Sequence, residues 1–229
     1  MVDQKSILER VTSGEGDYTW GEIVSTHGEH EARFYVFEDA LKLEGVRINV
    51  SARTQQMIAD HLDAMLLTPK VADLLFAAHD VLIGPKPITP RGGLIPNDEA
   101  GMRNHSAQID KELAGRTGII QSVGKHWVLS NKIAGRSGIA ANYGWHFEGS
   151  TYQGVRGEVS VTGTSRVLQG VGTRHDMHHL DYSQTCVLMH QTCMLNDMEV
   201  SVSEVLSNPA LAPLASHEGV LRVLRQPGV

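Results

Sequence analysis

Residues 174–184 pack three imidazoles (His175, His178, His179), two carboxylates (Asp176, Asp181), the Tyr182 phenol and the Ser183 hydroxyl into one short stretch. An imidazole titrates near neutrality and a neighbouring carboxylate fixes its tautomer, so this stretch suits proton transfer in a hydrolytic reaction or ligation of a divalent metal. Another histidine, His146, closes the run Tyr143-Gly144-Trp145-His146, beside a glycine that lets a ligand approach. His146, His175 and Asp181 are the set expected to hold zinc with an open water position, or else to form an acid/base relay. Lys125 is expected to serve as electrophile or base if its strand delivers it into a pocket, and His105, on a polar helix, to add a further imidazole. Against each stands a bland expectation: solvated loop histidines, an Asp181 that closes a turn through its own side chain, and a lysine in a solvated turn. Ser183 lacks the Gly-x-Ser-x-Gly elbow and Cys186 reads as a small buried hydrophobe, so neither is the favoured nucleophile. No Walker or dinucleotide glycine fingerprint is present in the sequence.

The elements that must position these residues follow from periodicity. Residues 32–37, 40–43 and 46–50 read as a meander of short antiparallel strands. A helix follows, entered at Ser51 or Thr54, with Met57, Ile58, His61, Leu62 and Met65 at helical spacing. A second starts at Thr68-Pro69 and turns Val71, Leu74 and Leu75 inward, which predicts an αα-hairpin packed on the sheet. Residues 84–96 hold four prolines and three glycines, too many for either regular element, and predict a crossing loop pinned by Ile88, Leu94 and Ile95. Residues 97–114 read as a polar helix carrying His105; strands are expected at 119–123, 127–130 and 139–147, a hairpin-like excursion at 152–172, and strands at 185–195 and 198–200. The expected class is α+β: one domain spanning residues 1–229, with a mostly antiparallel sheet and helices packed on one side.

Composition narrows the function classes. A formal charge of −6 at pH 7 without a run of Lys and Arg argues against a nucleic-acid surface, because that affinity comes from clustered cations. There is no apolar segment of membrane-spanning length and no apolar core behind a basic start, so the expectation is a cytoplasmic protein without a membrane partner. Cys186 and Cys193 are too far apart to pair, whether their run is helix or strand, and reduced thiols are expected.

The succession Asn104-His105 with Ile109, Gly124-Lys125, Tyr143-Gly144-Trp145-His146, then His175 and Asp181-Tyr182-Ser183-Gln184 resembles a group of bacterial proteins of unassigned function that share YGWH and a later His followed by DYSH. The resemblance covers residues 104–219, with Gln184 where that group has its last histidine, and implies that these positions form one site. More weakly, Trp145-His146-Phe147 and the pair His175, Asp181 are similar to pieces of the D-Ala-D-Ala metallopeptidase pattern, in which Ser-x-His-x6-Asp and a later Glu-x-x-His motif hold zinc. Here the order is reversed, the His-to-Asp gap is one residue short, and Tyr143 stands where that family has its catalytic Glu. Two readings follow. One is a hydrolase of amide or ester bonds in a small molecule, peptide or cell-wall fragment; the other is a non-enzymatic binding or assembly module with Trp145 and Tyr152 on its partner surface.

Overall fold

The computed structural model describes residues 3–88 and 97–229. Helix α1 (Gln4–Arg10), capped by the Asp3 carboxylate, leads into the hairpin β1 (Trp20–His27) and β2 (His30–Phe37). Alternation decides the buried face: Ile23 and Ser25 on β1, and Ala32, Phe34 and Val36 on β2, point inward while their neighbours meet solvent. The short strands β3 (Lys42–Leu43) and β4 (Val46–Arg47) pair with each other and not with β2, so the expected meander divides after Phe37.

Helix α2 (Ala52–His61) is capped by the Ser51 hydroxyl and α3 (Pro69–Ala77) by that of Thr68, with proline in its first turn as the sequence predicts. They are not an αα-hairpin. Asp63 takes φ +49°, the chain leaves the helix, and β5 (Ala64–Leu66) follows, so Met65 is a strand residue. Strand β6 (Val81–Leu82) and β7 (Ile120–Gln121) form a parallel pair flanking α4 (Glu99–Leu113), whose N-terminus the Asp98 side chain caps. Residues 84–88 join no helix or ladder, as expected, and Ile88 is half-buried; the expected burial of Leu94 and Ile95 lies outside the described residues.

The second half carries β8 (Lys125–Val128), β9 (Ile139–Phe147), the small hairpin β10 (Thr151–Tyr152) and β11 (Val155–Arg156), β12 (Glu158–Val159), β13 (Arg166–Asp176), β14 (Leu188–Leu195), β15 (Met198–Ser201) and α5 (Val202–Ser207), which opens on a Ser201–Glu204 capping box. One sheet runs β1-β2-β14-β15 with β5 added on β14, and another runs β12-β13-β9-β8. The fold is therefore α+β with mostly antiparallel sheets, the strands divided between two principal sheets.

Helix α3 packs on both β9 and β1, and a continuous apolar cluster reaches from Ile7 to Val223. The outer edge of β8 is bridged in parallel to Leu67 and to Gln184, which brings the segment after Asp181 alongside Lys125. Cys186 and Cys193 are free and buried. Among the described residues no helix is long and apolar enough to cross a membrane.

Candidate functional site

Strand β9 decides which histidines meet. Successive strand residues point to opposite faces, but Gly144 (φ +113°) and Trp145 (φ +60°) occupy the left-handed half of backbone space and break the alternation. Tyr143 and His146 therefore share one face, where both reach Asp73 of α3, and Trp145 between them turns to the other.

On the α3 face, Asp73 is an acceptor with every lone pair engaged. Tyr143 Oη donates to Oδ1 at 2.6 Å and His146 Nε2 lies 2.7 Å from the same oxygen, while the N–H and hydroxyl of Thr162 both donate to Oδ2 at 2.8 Å. Burial alone would raise the Asp73 carboxyl, but the hydrogen bond and charge of His146, with the bonds from Tyr143 and Thr162, hold it below the usual carboxylate range. An ionised carboxylate has no proton to give, so His146 Nε2 carries the hydrogen. His146 is also stacked on Phe76, with ring centroids 5.0 Å apart. Asp73 and His146 are each 1% exposed. The arrangement is a buried brace that ties β9 and the turn at Thr162 to α3.

The opposite face holds the other candidates. Lys125 Nζ donates to Asp181 Oδ2 at 3.0 Å, and Ser183 donates to Asp181 Oδ1 from its backbone N–H at 2.8 Å and from its hydroxyl at 2.6 Å. The turn expected of Asp181 is thus present, but it holds a lysine as well. Burial opposes ionisation of Asp181, and the Lys125 charge with the Ser183 bonds outweighs it, so the carboxyl lies below its ordinary range. The Lys125 ammonium stands 5.9 Å from the centroid of the Trp145 ring.

His105 is placed by α4. Arg47, fully buried, donates to Asp39 and Asp110 and lies against Ser106, which fixes the helix against β4. The His105 ring then meets Tyr182 at 5.5 Å and Trp145 at 6.2 Å, edge to face. Burial first, then the charges of Arg47, Lys125 and Lys86 against that of Asp181, push its pKa down to about 4. The ring is neutral at physiological pH. His175, at the end of β13, stacks on His179 with centroids 3.8 Å apart and lies 6.2 Å from the Trp127 ring. Burial, then the charges of His179 and Lys125, lower its pKa against Asp181 and Asp176.

The structure thus gathers His105, Lys125, His175 and Asp181 on one side of β8 and β9. It does not bring His146 to them. Trp127, next to His126 on β8, faces away from Tyr143 and toward His175, so His175 and His146 lie on opposite faces of the sheet. The expected zinc set of His146, His175 and Asp181 is corrected accordingly; among the described residues no three His, Cys, Asp or Glu side chains stand close enough to share a metal ion. Nor do His175 and Asp181 pair directly, because Asp181 is engaged by Lys125 and Ser183.

Sequence reasoning missed Asp73 altogether and gave Tyr182 no role. Asp73 had a signal: it is the one carboxylate in the otherwise apolar turn Val71-Ala72-Asp73-Leu74-Leu75, at a position the helix buries. Tyr182, whose Oη accepts the Ile88 N–H at 2.8 Å, lay in the chemistry-bearing stretch and in the Asp181-Tyr182-Ser183-Gln184 motif without being assigned a part. In comparisons with family models, curated proteins and solved structures, nothing matches this chain.

Proposed function

We propose that this chain is a hydrolase of amide or ester bonds in a small molecule or peptide, the peptide part of a cell-wall fragment included, with its centre on the Lys125–Asp181 face. The observation that carries the reading is a largely desolvated ammonium–carboxylate pair, its side chains 13% and 15% exposed, set between two imidazoles whose pKa values are lowered. Perturbed titratable groups concentrated in one place are what a reacting site requires, and they make this face the candidate.

In this reading Asp181 holds the Lys125 ammonium in place, and that ammonium polarises the substrate carbonyl and stabilises the oxyanion that forms on it. His175, half-buried and biased toward its neutral form, accepts a proton from the attacking water. The water oxygen bonds to the carbonyl carbon, the bond to the leaving nitrogen or oxygen breaks, and His175 returns the proton to the leaving atom. Ser183 is 1% exposed and donates to Asp181, which suits positioning rather than attack. Cys186 is fully buried and its thiol is pushed up, which keeps it from acting as a thiolate.

The test is mass spectrometry of a panel of N-acyl peptides, muropeptides and aryl esters incubated with the protein. Cleavage with uptake of one water is expected, lost in folded Lys125→Met and His175→Ala and retained in chelator. Cleavage that survives both substitutions, or no cleavage anywhere in the panel, would sink the reading. The second outcome favours a binding module, for which the unpartnered buried polar atoms near Lys125 already speak.

A further inference from the structure

The turn that ends β13 lays one histidine over another. Asp176 Oδ1 accepts the His178 N–H at 2.7 Å, and the Asp176 carbonyl accepts that of His179 at 3.2 Å. Between them Met177 is held on both sides, its N–H donating to the Gly138 carbonyl at 2.8 Å and its carbonyl accepting the Arg53 N–H at 2.9 Å. The chain therefore doubles back on its own strand end, and the His175 and His179 rings stack with centroids 3.8 Å apart and planes 14° apart. Trp127 meets both rings nearly at right angles, at 6.2 and 6.4 Å. That indole is fully buried and donates to the Val50 carbonyl at 2.8 Å, so it is a fixed wall for the stack.

Imidazole nitrogens lie in the ring plane, so two parallel rings, one above the other, cannot hydrogen-bond to each other. A proton on each would set two like charges face to face at the spacing of the stack, which disfavours the second. The other charges facing the pair do not relieve this. Lys125 of β8 opposes a positive His175 and Asp181 favours one, but those two are already engaged with each other. Asp176 favours one as well, with Oδ1 held in the turn, and β9 sets the uncharged Ala140 opposite His175. Burial, and then the charge of His179, act against a proton on His175.

We propose that His179 is a positioning residue for His175: as pH falls toward mild acid the stack takes a single proton, His179 carries it, and while it stays there His175 is kept neutral and able to accept the proton of the attacking water. The part given to His175 rests on the hydrolase reading, whereas the single-proton stack rests on the ring geometry. Its effect is to extend toward acid pH the range in which His175 can act as a base.

The test is a pH titration by NMR on the whole chain, following the imidazole Cε1–H signals of His175 and His179, each assigned by its loss in the corresponding glutamine variant. In the wild-type chain His179 should titrate first and His175 at lower pH. With His179→Gln the His175 midpoint should rise by about 0.5 pH unit or more, because a like charge has gone. His179→Arg, which keeps a planar and permanently charged group in that place, should hold the midpoint at or below its wild-type value. A His175 signal that titrates before His179 in the wild-type chain overturns the proposal, and that result needs no variant to fold. An equal rise in the glutamine and arginine variants, or no rise in folded His179→Gln, overturns it too. Where cleavage is found, the acid limb of its pH profile should move to higher pH in His179→Gln by the same amount, and an unmoved limb removes His179 from the positioning role. The expected titrations without cleavage of any substrate in the panel keep the single-proton stack and sink the hydrolase.

Discussion

Replacing Asp73 with alanine removes the acceptor of four hydrogen bonds: His146 Nε2 and Tyr143 Oη lose it in a nearly fully buried setting, the half-buried Thr162 N–H loses it too, and the Thr162 hydroxyl keeps only Thr164 Oγ1. At about 1 kcal/mol net for each bond, the loss comes to about 3–4 kcal/mol. Asparagine is the sharper probe. Each carboxylate oxygen accepts two donors, so whichever way the amide turns, its NH2 meets a pair of donors, and a loss of about 2 kcal/mol or more is expected. The assay is urea unfolding followed by circular dichroism. With a slope of about 3 kcal/mol per M, alanine should lower the midpoint by about 1 M or more and asparagine by roughly half as much. Midpoints within about 0.3 M of wild type for both variants would refute the brace, and with it the placing of His146 outside the reacting site. If the proposed hydrolase activity is found, its pH profile on the folded fraction should be the same in either variant.

Lys125→Met leaves the Asp181 carboxylate desolvated with only Ser183 to hold it, and because the pair is not fully buried the expected cost is about 1–3 kcal/mol; adding Asp181→Asn should recover part of it, and additive losses in a double-mutant cycle would contradict the pairing. Acid stability should fail early. His105 and His126 have pKa values lowered to about 4 and about 3, so the unfolded chain takes up their protons near its ordinary value of about 6.5 while the native state does not, and stability falls as pH drops below about 6.5. Each contributes about 3 kcal/mol of that loss by about pH 4, and the lowered carboxyls of Asp73 and Asp181 add their own once pH falls below the ordinary carboxylate range. Urea midpoints between neutral and mildly acid pH should show the slope, and His126→Leu should flatten it; an unchanged slope counts against a neutral buried His126. Gly124→Ala would set a Cβ 2.5 Å from the Ser183 carbonyl oxygen, pushing β8 off the 183–185 segment at about 1–3 kcal/mol, and an alanine variant of wild-type stability would show that the close approach is not required.

Local signals were strong where one short stretch of chain decides the outcome. Thr68-Pro69 and the hydroxyls of Ser51 and Thr54 announce helix starts because a hydroxyl cap and a first-turn proline need only their own neighbours; Thr68 caps as the sequence puts it, and of the two alternatives Ser51 is the cap. Strands β2, β9 and β14 were legible from apolar runs, and the helix carrying His105 from its acidic start. The same local reading carried Met65 into a helix, because apolar spacing does not reveal that Asp63 adopts φ +49° and that β14 offers a strand for residues 64–66 to join. The chemistry divides in the same way. The cluster at 174–184 pointed to His175 and Asp181, while Lys125, His105 and His146 were singled out one by one, and the structure gathers all of these but His146 on one face. Whether His146 joined them depended on two left-handed residues in β9, on a carboxylate from a helix some seventy residues earlier, and on the bridge that sets Gln184 beside Lys125. Residue type sets what a side chain can donate, accept or titrate, and that is written in the sequence. Which partner it meets depends on the face of the sheet it occupies, and a single break in strand alternation reverses that face.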